Sequence, residues 1–388
     1  MADETGSFMK RWPDHYYFCT YFDQNYLTRG LLLYESLIEH VPSFTLFVLA
    51  LDEETYDFLT AKSFPGISPV HIRELEKQDP ELFATKSTRS LIEYYFTCSP
   101  CFPLHILATN HDVDILTYLD SDIYFYDSPS PFYEELGGNS ILLFEHGIPP
   151  LSQVRYGRFN VGYLSWRNDQ TGLACLRWWR ARCIEWCFDK VEGGKFADQK
   201  YLDQWPDLFK ATIVSQQKSR ALAPWNLEQF PIECRQGRPK NLILFHFHGI
   251  KIKSPWHYST YKHHISSTDG VKLFNRYVKK LVRKTKEYSL SLTGNVRDMS
   301  YYRYNRIFFF PISCLSIAIW CYSHYISNSY KEANRIFTAY HEERLGRPSL
   351  QAIKIMVKFP HLIFSKHIFL GIFCKNLFKY REVKTNGL

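Results

Sequence analysis

A chain of 388 residues with 45% apolar content can bury a large core, which favours one large domain with an appendage. Aromatic residues reach 17%, a level that suits carbohydrate stacking or a membrane interface. The net charge of +8 hides an asymmetry that argues against one shared task for the two halves: residues 1–250 hold 23 Lys and Arg against 32 Asp and Glu, and residues 251–388 hold 24 against 7.

Met1 to Asp14 is polar and mixed in charge, with no apolar run of the kind that directs secretion. His15–Tyr21 is rich in β-formers, and Asn25–His40 carries a helical stripe through Leu31, Tyr34, Leu37 and Ile38. Phe44–Leu51 has the pattern of a buried strand, and Val70–Leu75 a weaker version of it. Ser87–Phe96 reads as a helix, and Ile115–Leu119 and Ser140–Phe144 as strands. A Trp- and Arg-rich helix follows from Ser165, and Gly193-Gly194 breaks the pattern. Strands alternating with helices predict an α/β fold with a mostly parallel sheet, in which ligands collect at the carboxyl ends of the strands. Ten cysteines are scattered, with Cys98-Ser-Pro-Cys101 the one C-x-x-C pair. A zinc site lacks its second pair, so the thiols read as reduced and structural, in a cytosolic protein.

The densest chemistry lies in Leu116–Tyr126, where an apolar run ends in Asp120-Ser121-Asp122 before aromatics resume. Two carboxylates at a buried strand end need a compensating cation. In an extended backbone residues i and i+2 project to one side, so Asp120 and Asp122 can converge on a hard divalent ion. The plain alternative is a strand end that shows two acids to water.

After Pro255-Trp256 the composition changes. Val271–Tyr288 is an amphipathic helix with Phe274, Tyr277, Val278, Leu281 and Tyr288 on one face and seven Lys and Arg around the rest. Residues 307–330 contain no Lys, Arg, Asp or Glu, yet Pro311, the serines and His324 make a poor transmembrane helix. Residues 353–379 again mix Ile, Phe and Met with lysines. Basic aromatic helices of this kind suit an anionic membrane surface, the alternative being a helical subdomain whose lysines face water. The expected organisation is a tail over 1–14, an α/β domain over 15–260 and a basic, largely helical region over 261–388.

Further segments follow the Asp pair in order: Phe159-Asn160-Val161-Gly162, then Ala197-Asp198-Gln199, then Leu244-Phe245-His246-Phe247-His248-Gly249 with Lys251, Lys253 and Pro255-Trp256 behind it. Over residues 15 to about 256 the set resembles the retaining glycosyltransferases of the GT-A (Rossmann-like) fold, and most nearly glycosyltransferase family 8, the glycogenin and lipopolysaccharide galactosyltransferase type. The resemblance implies that Asp120, Asp122 and His246 hold Mn²⁺ or Mg²⁺, manganese suiting an imidazole better. It implies that the metal bridges the diphosphate of a nucleotide sugar, with uridine diphosphate as carrier. Lys251 or Lys253 would add a second cation; the family's single lysine adjoins Pro-Trp, whereas this chain reads K-I-K-S-P-W. His248 is a rival metal ligand. Tyr21, Asp23, Lys86, Arg89 and Ser121 fall among the implied donor-binding positions. Asn160, Gly162, Trp225, Asn226, His248 and Gly249 are expected around the sugar and acceptor. Asp198 and Gln199 are the implied catalytic residues, with Gln199 beneath the anomeric carbon.

The expected activity is transfer of a hexose, with retention, to a glycan or lipid-linked acceptor in surface polysaccharide or glycoconjugate synthesis. It would take place at the cytoplasmic face of a membrane, with no nucleic acid as partner. Each residue also has a plainer reading. Asn160–Gly162 suits a strand-end turn, Asp198 a helix N-cap, and the histidines strand-end imidazoles with ordinary hydrogen bonds. Lys86 and Arg89 suit solvated charges. Competing classes are a catalytically inactive scaffold of the same fold and a haloacid-dehalogenase phosphohydrolase, which wants Thr or Val where Tyr124 stands. A pyrophosphorylase-like nucleotidyltransferase needs a glycine-rich loop that Thr20–Asn25 lacks.

Overall fold

A computed structural model describes residues 13–235, 238–254, 257–260, 265, 267–290 and 305–306. The chain divides between Arg306 and Ile307, and all the described residues lie in the first unit. Its first part alternates β1 (Tyr16–Phe22), α1 (Leu27–His40), β2 (Phe44–Ala50), α2 (Glu53–Lys62) and β3 (Ile67–His71). Three helices follow, α3 (Ile72–Gln78), α4 (Pro80–Thr85) and α5 (Leu91–Thr109), before β4 (Ile115–Leu119) and β5 (Ile123–Phe125). Next come α6 (Ser130–Leu136), β6 (Ile141–Glu145), α7 (Pro150–Tyr156), β7 (Phe159–Arg167), α8 (Gln170–Glu185), α9 (Trp205–Leu208) and β8 (Thr212–Val214). The main sheet runs β3-β2-β1-β4-β7-β6-β8, with β7 antiparallel to both neighbours and every other pair parallel. This is the mostly parallel α/β sheet that the alternation predicts.

Strand alternation builds a core on each face. In β1, Phe18 and Phe22 face α1 and α6, whereas Cys19 and Tyr21 face α5 and α8. On the α5–α8 side Trp166, Trp179 and Trp205 are fully buried, with ring centroids 5.3 to 6.0 Å apart.

Three element boundaries differ from the sequence reading. The Val70–Leu75 strand is replaced by β3 ending at His71, whose Nδ1 accepts from Arg73 N at 3.0 Å and so starts α3. The helix expected over Ser87–Phe96 begins at Leu91 behind a Ser90–Glu93 capping box and runs through Pro100 and Pro103 to Thr109. The helix expected from Ser165 starts at Gln170, because Ser165 belongs to β7 and Asp169 is the N-cap, accepting from Gly172 N at 2.8 Å. Cys98 and Cys101 lie buried in α5 as free thiols.

The second part completes the site. β9 (Ala221–Leu222) and the hairpin β10 (Cys234–Arg235) and β11 (Arg238–Pro239) precede β12 (Leu244–His246). β12 lies between β5 and β9, antiparallel to the first and parallel to the second. β13 (Lys251–Ser254), β14 (His257–Ser259), α10 (Thr268–Tyr288) and β15 (Asn305–Arg306) follow.

α10 packs within this unit, past the boundary expected at 260. Tyr277 stacks on Phe247 at 3.7 Å, and Phe274 meets Phe245 and Phe247 at steep angles. Lys280, Arg283 and Lys284 pair with Glu35 of α1 at 2.8, 2.9 and 3.0 Å. The apolar face expected to lie on a membrane is thus filled by the protein itself. Among the described residues no helix is long and apolar enough to cross a membrane. The segments 307–330 and 353–379 and Pro255-Trp256 lie outside the described residues.

Candidate active site

β4 ends at Leu119, and the chain then turns. Asp120 N donates to Gly162 O at 3.0 Å, prolonging the β4–β7 pairing, and Ile123 N donates to Asp120 O at 3.1 Å, closing a turn around Ser121-Asp122. The extended geometry expected for the two acids is therefore corrected: they leave a turn, and β12 brings a common partner to them. Phe247 N donates to Asp122 O at 2.9 Å, which places the end of β12 beside that turn. His246 Nε2 then lies 2.9 Å from Asp122 Oδ1 and 3.4 Å from Asp120 Oδ2.

His246 Nε2 is buried and has no well-aligned hydrogen-bond partner among the described residues. Close approach without alignment fits ligands that face a shared cation better than a donor facing its acceptor. Asp122, His246 and the exposed His248 present ligand atoms all within 4.8 Å of one another. Asp120 stands outside that triad, its Oδ1 accepting from Tyr118 OH at 2.8 Å. The residues present thus fit a divalent metal ion with mixed nitrogen and oxygen ligands.

The charges are unevenly compensated. Burial disfavours the Asp122 charge, but His246, with His248 and Arg29 behind it, outweighs burial and holds the carboxyl below its usual range. Burial lifts the Asp120 carboxyl, His246 and Tyr118 opposing the rise and Asp122 adding to it. Burial works against protonation of His246, yet Asp122 and Asp120 prevail and raise its pKa.

Asn160 and Gly162 sit inside β7, so the strand-end turn is ruled out for them. Asn160 Oδ1 accepts from Gly162 N at 2.5 Å. A Cβ on Gly162 would come 2.7 Å from Asn160 Oδ1 and 2.8 Å from His246 Nδ1, so only glycine lets β7 lie against this imidazole. Beside it opens a shallow cleft whose lining includes Asn160, Gly162, Trp225, Asn226, His146 and His246. Trp225 Nε1 donates to His146 O at 2.7 Å, and Asn226 Oδ1 accepts from Ala223 N at 2.9 Å.

Two cations interact electrostatically with Asp122. Arg29 of α1 is buried, donating to Ile250 O at 2.9 Å and Asn25 O at 3.2 Å, with its guanidinium 4.5 Å above Tyr26. Lys251 is half-buried at the start of β13; burial and Arg29 lower its pKa while Asp122 opposes them. Lys253 also lies in β13, and its side chain is outside the described part.

Asp198 is buried, and its side chain makes no N-cap hydrogen bond to the 3-10 turn Gln199–Gln204. The residue before it, Ala197, adopts φ +46, and Asp198 O accepts from Trp179 Nε1 at 2.8 Å. Burial pushes the Asp198 carboxyl up to about 7, with Ser99 opposing and the Asp120 charge adding. Tyr21 OH and Ser99 Oγ share a hydrogen bond at 3.0 Å, and the Tyr21 ring packs 5.7 Å from Tyr118. Gln199 Nε2 donates to Tyr156 O at 2.7 Å and lies 3.4 Å from His146 Nδ1.

The remaining candidates are dispersed. Asp23 closes the β1–α1 turn by accepting from Asn25 N and Nδ2, and Ser121 is buried between the two acids. Lys86 pairs with Glu76 at 2.6 Å, and Arg89 lies 3.9 Å over Phe188 while donating to Ile184 O. Gly249 turns the chain after His248 with φ +71. The sequence reading missed Arg29, Tyr118, Ser99 and His146. Tyr118 was findable from its i−2 spacing to Asp120, and Arg29 as the lone charge in an apolar helical stretch.

The arrangement defines an α/β protein with an acid–imidazole centre at the carboxyl ends of its strands. No family model matches the chain. It is 32% identical over 251 residues to the uncharacterized protein YfnF of Bacillus subtilis (strain 168), covering 61% of this chain and 82% of that one. It is 29% identical over 246 residues to the uncharacterized protein YfnD of the same organism, covering 61% and 78%. The chain belongs to the family of YfnF.

Solved structures similar to it in fold are glycosyltransferases. Galactosyltransferase LgtC, in complex with donor and acceptor sugar analogs, gives a TM-score of 0.43 at 16% identity over 72% of this chain and 98% of that one. Mouse xyloside xylosyltransferase 1 gives 0.41 at 12% over 61% and 98%. Glycosyltransferase GlyE of Streptococcus pneumoniae TIGR4 gives 0.39 at 14% over 74% and 66%. Likeness at this level carries no substrate from those proteins to this chain.

Proposed function

We propose that the chain is a metal-dependent glycosyltransferase that moves a hexose, with retention, from a nucleotide-diphosphate sugar to a glycan or lipid-linked acceptor. Uridine diphosphate is the carrier in this reading. The observation that carries it is the meeting of Asp122, His246 and Asp120 beside an amide- and indole-lined cleft, with the charges of Arg29 and Lys251 acting on Asp122.

Asp120, Asp122 and His246 would hold Mn²⁺ or Mg²⁺, and an imidazole among the ligands favours manganese. When bound, the ion supplies positive charge to a departing diphosphate without a proton donor. Lys251 and Arg29 are fixed cations near the same point. The Arg29 guanidinium is already tied to two backbone carbonyls, so it stabilises developing negative charge with little rearrangement. Trp225 offers a ring face on which a sugar can stack. Asp198, whose charge the protein disfavours, gains most from ionising when positive character develops on a sugar beside it.

Nucleotide release from a panel of nucleotide sugars, with and without MnCl₂, tests the reading against Asp122→Asn. Metal-dependent turnover should fall by about 100-fold or more in the variant, the scale of losing one electrostatic stabiliser. Equal turnover in the two proteins refutes it.

A further inference from the structure

We infer that His248 is a fourth protein ligand of the metal centre, so that the protein holds a transition-metal ion before any nucleotide arrives. This rests on the reading above and goes beyond it in the number of ligands and the order of binding. Among the described residues, the group whose ligand atoms all lie within 4.8 Å of one another is Asp122, His246 and His248. Independently, His246 Nε2 is buried, close to both acids, and without an aligned hydrogen-bond partner among the described residues.

The two imidazoles are also set in place together. Trp225 lies edge-on to His246 and tilted against His248, both at 5.4 Å, and the two histidine rings stand 5.4 Å apart at 87°. Trp225 is anchored in turn by its bond to His146 O, and Gly249 ends the segment with a left-handed turn. A ligand pair held by its surroundings binds metal without first being ordered.

The chemistry follows from the ligands. Asp120 and Asp122 with one histidine make an oxygen-rich set, whereas a second imidazole moves the preference toward Mn²⁺, Co²⁺ and Zn²⁺ and away from Mg²⁺. Asp122, His246 and His248, with Asp120 beside them, would hold the ion from the protein side and leave its remaining positions to a diphosphate.

The test uses the full chain without nucleotide. Mn²⁺ binding is followed by loss of the free-ion electron paramagnetic resonance signal, and Co²⁺ by its visible absorption, for wild type, His248→Ala, His248→Gln and Asp122→Asn. Wild type should bind both ions, and each His248 variant should bind Mn²⁺ about 10-fold or more weakly and show an altered Co²⁺ spectrum. Binding and spectra like wild type in both His248 variants overturn the inference, as does a wild type that takes up no metal until nucleotide is added. Failure of the transferase reading is separate, since it shows in nucleotide release and not in these titrations.

Discussion

Asp198 makes the sharpest physical demand on this fold. Its carboxyl is buried among Ser99, Tyr21 and the α5–α8 core and carries a pKa of about 7 against an ordinary 3.8. Because the folded value is the higher one, the native state keeps a proton that the unfolded chain has already released. Its favourable contribution is complete below about pH 4 and is lost as pH rises toward 7. Roughly three pKa units at 1.36 kcal/mol each make about 4 kcal/mol, an upper bound on what the ionised carboxyl costs the fold at pH 8. Asp198→Asn is neutral at every pH, nearly isosteric, and leaves the backbone bond from Trp179 intact. Urea unfolding of both proteins between pH 5 and 8.5 in metal-free buffer reads the difference. The variant should gain on wild type by about 1.4 kcal/mol per pH unit up to pH 7, then hold that lead, while its nucleotide release falls. Parallel stability profiles would show that the carboxyl is compensated and that its environment has been misread.

Gly162→Ala should fold yet bind Mn²⁺ at least about 10-fold more weakly, because the new Cβ displaces His246; the crowding should cost about 1–3 kcal/mol in urea unfolding. Unchanged metal affinity refutes the claim that β7 sets the imidazole. Arg29→Met should destabilise by about 1–3 kcal/mol, since Ile250 O is left unpaired in the core, and should weaken nucleotide-sugar binding by calorimetry. Undiminished donor binding removes Arg29 from the site.

Sequence pattern pointed to the candidate centre through the strand end at Asp120, and gave no guide where tertiary partners decide the geometry. Asp120-Ser121-Asp122 was legible because an apolar run stops beside it and a parallel sheet gathers such stops along one edge, whereas Asn160–Gly162 and His246 were legible only through the family resemblance of their motifs. The turn at Asp120–Ile123 was not legible, since it depends on Gly162 O and on β12 arriving from more than a hundred residues later. Lys86 and Arg89 were read as donor contacts because nothing local shows Glu76 and Phe188 waiting for them. α10 misled for a related reason. An apolar stripe flanked by lysines looks the same whether it meets lipid or Phe245 and Phe247, and only Glu35 on α1 settles which lysines are paired.

The three acids Asp120, Asp122 and Asp198, the last two buried, are best understood together. Asp120 is among the causes that lift Asp198, and Asp122 is among those that lift Asp120, while His246 opposes the rise at Asp120 and lowers Asp122, and Arg29 and Lys251 interact with Asp122. Positive charge is therefore more plentiful at the Asp122 side of the centre than at the Asp120 and Asp198 side. A cation placed between Asp120 and Asp122 must lower both the Asp120 and Asp198 pKa values, because it removes the repulsion that passes from one acid to the next. Such a fold is less stable than its packing allows, since a neutral side chain in place of Asp198 would rest more easily in that core. In the proposed reaction a divalent ion would relieve this repulsion, and positive charge developing on a sugar near Asp198 would do so again. On that reading, what looks like poor electrostatic design in the metal-free chain is the arrangement that would gain most from binding.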